Sequence, residues 1–61
     1  MMQLVEFWDG GYKENVIGVF ENFDVIRDYM DANDIQLGSD NFGEDGYFIR
    51  MPDGDEIYDL D

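Results

Sequence analysis

Sixteen acidic residues against three basic ones in a chain of 61 set the first condition on any fold open to this sequence. The net charge of −13 repels itself as the chain compacts, so apolar burial has to outweigh that repulsion. Little surface is available for the task, because a chain of this length buries only about 60% of what its unfolded form exposes. Cysteine and histidine are both absent, which removes disulfides, thiolate and imidazole metal sites, and the usual general base near neutral pH. The core then rests on apolar packing, to which one Trp, four Tyr and five Phe bring large buried areas. A hydrophobic fraction of 44%, regularly patterned, predicts a folded domain over residues 1–61 rather than disorder.

The pattern reads as strand, strand, helix, connection, strand, strand. Residues 2–9, MQLVEFWD, are rich in β-branched and aromatic side chains and run into the turn signal Asp9-Gly10-Gly11. Residues 14–20, ENVIGVF, form a second run, with Val16, Gly18 and Phe20 expected on one side and Ile17 and Val19 on the other. Apolar residues on both sides suggest a central strand, and the polar Lys13-Glu14-Asn15 leaves the register of this first hairpin open. Residues 22–34, NFDVIRDYMDAND, carry the helix, with Asn22 as its N-cap and Asp24 complementing the helix dipole. Phe23, Val25, Ile26, Tyr29 and Met30 fall on one face of it, and Asp24, Asp28 and Asp31 on the opposite one, bordered by Arg27. IQL (35–37) suits a short strand or an extended connection, and GSDNFGEDG (38–46) reads as a loop.

The end of the chain has a register that can be derived. YFIRM (47–51), PDG and DEIYDL (55–60) form a second hairpin. Pro52 suits the second position of a type I turn, and Gly54 suits the left-handed residue that closes it with a bulge. The resulting loop pairs Met51 with Asp55, Arg50 with Glu56, Ile49 with Ile57 and Phe48 with Tyr58. Each of the last three pairs matches in character: opposite charges, two aliphatics, two aromatics. A two-residue loop would oppose Arg50 to Ile57 and ask Pro52 for an amide proton it lacks. The expected architecture is therefore a small α+β domain, with an antiparallel sheet, one helix packed on one face and the order β-β-α-(β)-β-β.

The sequence supplies no reaction chemistry. No stretch meets the spacing of a helix–loop–helix calcium loop: from Asp31, Ile35 and Gln36 break it, and from Asp40, Phe42 does. Asp40, Glu44 and Asp45 are at most a loose cation site, beside the simpler reading of a solvated loop. Paired carboxylates need a cleft that 61 residues scarcely provide, and the single Ser39 has no base beside it. No P-loop pattern occurs, and the acids would repel phosphate. These absences predict a non-enzymatic protein without cofactor or metal. Direct contact with nucleic acid or an anionic membrane is equally disfavoured, no apolar run spans a bilayer and the N-terminus lacks the pattern of a signal peptide, so a soluble cytoplasmic protein is expected.

The acids themselves remain. A compact chain of this size has a radius of gyration of about 10–11 Å, and duplex DNA of matching length carries roughly 16 charges. Candidate partner-binding residues are Asp24, Asp28 and Asp31 on the helix and Asp55, Glu56, Asp59 and Asp61 at the end of the chain, beside Asp53. Trp8, Tyr12, Phe42 and Tyr58 are candidate aromatic anchors. In size, acidity and small α+β build the chain resembles the small acidic phage-encoded inhibitors of host nucleic-acid machinery, the DNA-mimic, anti-restriction and anti-CRISPR proteins. Such proteins share no fold or motif, so the resemblance implies a mode of action alone: occupying the basic nucleic-acid site of a host protein, in the host cytoplasm. The alternative is a small assembly or adaptor module, possible as a homodimer, whose acidity serves only solubility; separately, an Asp-rich, Lys-poor chain suits a high-salt solvent.

Overall fold

A computed structural model of the chain describes residues 1–40 and 45–59, apart from the side chains of Ser39 and Asp40. It is an α+β fold with strands β1 (Met2–Trp8), β2 (Lys13–Phe20), β3 (Gly38–Asp40), β4 (Asp45–Arg50) and β5 (Glu56–Ile57), and one helix, α1 (Phe23–Ala32). All pairings are antiparallel. Strands β1 and β4 form the centre, β2 closes one side, and β3 and β5 share the far edge of β4.

The helix begins and ends as its sequence dictates. Asn22 is extended, and its Oδ1 accepts a hydrogen bond from the Val25 amide at 3.0 Å, a cap worth about 1 kcal/mol. At the exit Asp34 takes a left-handed φ of 55°. The Ile35 amide then donates to the Met30 carbonyl at 2.9 Å and the Asp34 amide to Asp31 at 3.4 Å, which is the Schellman closure with Asp where Gly is usual. Ile26 and Met30 are buried against Leu4 of β1 and Ile49 of β4, and Phe23 and Tyr29 pack around them. Val25, expected on the same face, is 45% exposed, because it lies at the margin of the stripe.

The second hairpin has the derived register. Ile49 pairs with Ile57 and Arg50 with Glu56, Met51 receives Gly54 and donates to Asp55, and Gly54 is left-handed at φ 98°. The ladder stops at Ile57 rather than running to residue 60, yet the Tyr58 ring still meets Phe48, with centroids 5.3 Å apart.

Two expectations are corrected. Strand β2 is an edge, not a central strand. Its register shifts between Leu4–Gly18 and Val5–Val16, which makes Ile17 an extra residue in a bulge. Ile17 and Phe20 therefore both reach the helix-side core, leaving Val16 and Val19 on the surface. The second correction concerns GSDNFGEDG: Gly38–Asp40 and Asp45–Gly46 are strand, paired to each other and to Tyr47, because an edge ladder needs backbone groups more than apolar side chains. IQL is the extended connection, with Ile35 and Leu37 anchored on the core.

Candidate functional site

The helix covers one face of the sheet; the other face holds its own small core. There Val5 and Phe48, paired across β1 and β4, are buried with no helix over them. Phe7 and Tyr58 supply the cover, their rings 5.9 Å and 5.3 Å from that of Phe48. Arg50 completes it by laying its guanidinium over Phe48, 5.3 Å from the ring centroid.

Two carboxylates hold Arg50 there. Its Nη2 donates to Glu14 Oε2 of the edge strand at 2.7 Å and lies 3.7 Å from Glu56 Oε2 of β5. The hydroxyl of Tyr58 donates to the other oxygen of Glu56 at 3.2 Å. Burial of Tyr58, then the charge and hydrogen bond of Glu56, raise its phenol above the ordinary 10.0, with Arg50 pulling the other way. All three charged side chains stay partly in water, so each ion pair is worth no more than about 1 kcal/mol. A cavity of about 390 Å³ lies between these groups, and its remaining wall is the bare backbone of Gly10 and Gly11. Those two glycines and Asp9 are left-handed in succession (φ 69°, 91° and 61°), which folds the first hairpin's single 3-10 turn over this end of the sheet.

The residues singled out from the sequence do not gather in one place. Asp24, Asp28 and Asp31 are exposed along the outer side of α1. Asp31 shares with Asp59 a groove of about 520 Å³, floored by Met30, Ile35 and Leu37. Glu56 belongs instead to the Arg50 cavity on the opposite face of the sheet. Asp55 lies in the turn, where its amide donates to Asp53 Oδ1 at 3.1 Å. Asp61, Phe42 and Glu44 lie outside the described residues. Among the aromatic candidates Trp8 and Tyr12 flank the 3-10 turn, Tyr12 being 92% exposed. The roles of Glu14 and Phe7 were not read from the sequence; a fixed first hairpin, in which Phe7 faces Glu14, would have revealed both.

Among the described residues no three acidic side chains converge closely enough to hold a metal ion, and no helix is long and apolar enough to cross a membrane. No protein-family model, curated protein or solved structure matches the chain, so its own residues carry the functional reading.

Proposed function

We propose that this protein is a non-enzymatic acidic inhibitor that occupies the basic nucleic-acid-binding site of another protein. Its place of action is a host cytoplasm, and its target class is a restriction, CRISPR, transcription or nucleoid factor. The observation that carries this reading is the outer side of α1. Asp24, Asp28 and Asp31 stand exposed on one rigid element, and none makes a side-chain hydrogen bond or ion pair among the described residues. Along the axis they recur at about 6 Å and 4.5 Å, against 3.4 Å of rise per phosphate on one DNA strand. Asp59 lines the groove beside Asp31, together with Arg27. The molecule measures 28 × 25 × 20 Å, so its surplus of acids is packed at a density of the same order as duplex DNA.

The test is affinity capture from a host lysate at low and moderate salt, with added duplex DNA as competitor. A basic nucleic-acid-binding protein should be retained, then released by DNA and by salt. The combined D24K, D28K and D31K variant should keep the circular dichroism of the parent and lose at least about tenfold in affinity, roughly 1.4 kcal/mol. Unchanged binding would overturn the assignment to this face. A second reading, an apolar assembly module, is favoured by the exposed Val16 and Val19 on β2; it predicts association that salt does not weaken.

A further inference from the structure

We propose that the cavity beside Arg50 is a binding site for a guanidinium group presented by an arginine of a protein partner. Glu14 and Glu56 both face the cavity, and the single guanidinium of Arg50 neutralises one of them. Its contacts are unequal: 2.7 Å to Glu14 and 3.7 Å to Glu56, both through the same Nη2. Glu56 therefore keeps an Oε2 with acceptor capacity to spare, while Tyr58 pins its Oε1 and so fixes the direction in which the carboxylate points.

The walls select the kind of cation. Phe7 and Tyr58 present aromatic surface, and Arg50 already demonstrates how the site takes a guanidinium, 5.3 Å from the centroid of the Phe48 ring with its Nη2 on a carboxylate. A second planar cation can use the side chain of Tyr58, a residue 45% exposed, in the same way and donate to Glu56. An ammonium has neither the planar face nor the fork of donors that this arrangement rewards. Gly10 and Gly11 leave one wall without side chains, and the room, about 390 Å³, is ample for one guanidinium and its stem. The site faces away from the helix acids. It depends on the preceding reading only in expecting a partner rich in arginine.

The experiment is an amide NMR titration at about 0.15 M salt, where the Debye length of about 8 Å suppresses diffuse attraction. The probes are N-acetyl-arginine methylamide, the corresponding lysine compound and agmatine. The arginine compound should give saturable shifts centred on Gly10, Gly11, Glu14, Glu56 and Tyr58, with the lysine compound at least about threefold weaker. E56Q should weaken arginine binding about fivefold or more and Y58F by a smaller factor, while D28N leaves it unchanged. Shifts spread evenly over all acidic positions, or equal effects of E56Q and D28N, would overturn the site. Lysine binding as tight as arginine overturns the preference for guanidinium, and agmatine binding a hundredfold tighter than the capped arginine overturns a protein side chain as the source. The triple helix variant should titrate like the parent, which separates a failure of this site from a failure of the helix face.

Discussion

Glu56 illustrates how one residue's role depends on what the fold sets beside it. In the sequence it is one acid in a run of them; in the structure it lies between the Arg50 guanidinium and the Tyr58 hydroxyl. Tyr58 reports on that arrangement. Because its folded-state pKa is raised, the folded protein holds the phenolic proton at pH values where the unfolded chain has released it. The stability that this shift contributes is complete below the ordinary value of 10.0 and is lost as pH rises through the higher folded value. Urea unfolding followed from about pH 9 upward should show this decline, and Tyr58→Phe should flatten it. An identical slope in the variant would mean that other groups cause the loss. The pairing of Arg50 with Glu56 was legible in the sequence because the Pro52-Asp53-Gly54 turn sets the register of its own hairpin. The pairing of Arg50 with Glu14 was not, since the two lie 36 positions apart and on non-neighbouring strands.

Elements were legible where their signals are local. The start of α1 follows from Asn22, and the second hairpin from a proline and a glycine three residues long from end to end. Local signals failed where neighbours decide. Val16-Ile17-Gly18-Val19 looks like buried strand, but the bulge at Ile17 turns Val16 and Val19 to the surface of an edge. Gly38–Asp40 looks like loop, and the edge of β4 recruits it as strand. The exit of α1 offers a measurable case. Asp34 places a β-carbon in the left-handed region and a negative charge at the negative end of the helix dipole. Asp34→Gly removes both penalties and should raise the unfolding free energy by about 1 kcal/mol in urea denaturation, with the helix boundary unchanged.

At the scale of the molecule, charge and size compete. With a longest dimension of 28 Å, each acid among the described residues lies within one Debye length of nearly every other at about 10 mM salt, where that length is about 30 Å. At about 0.5 M it shrinks to a few ångström and only adjacent acids interact. Folding concentrates the charge, so screening should raise the melting temperature between these conditions by about 4–8 °C for each kcal/mol of repulsion removed. A melting temperature that falls or stays level would mean that the fold already keeps its acids far enough apart. Among the described residues six buried apolar ones carry the opposing burden, and four of them, Leu4, Ile26, Met30 and Ile49, join helix to sheet. By itself the sequence determined the α+β class, the element order, the N-cap of the helix and the register of the last hairpin, because each depends on residues within a turn or two of one another. Tertiary structure alone decided which strand became the edge, where the acids fell on opposite faces, and that Glu14 and Glu56 share Arg50. Those outcomes depend on distant segments meeting, and a local pattern holds no record of which segment its backbone will pair with.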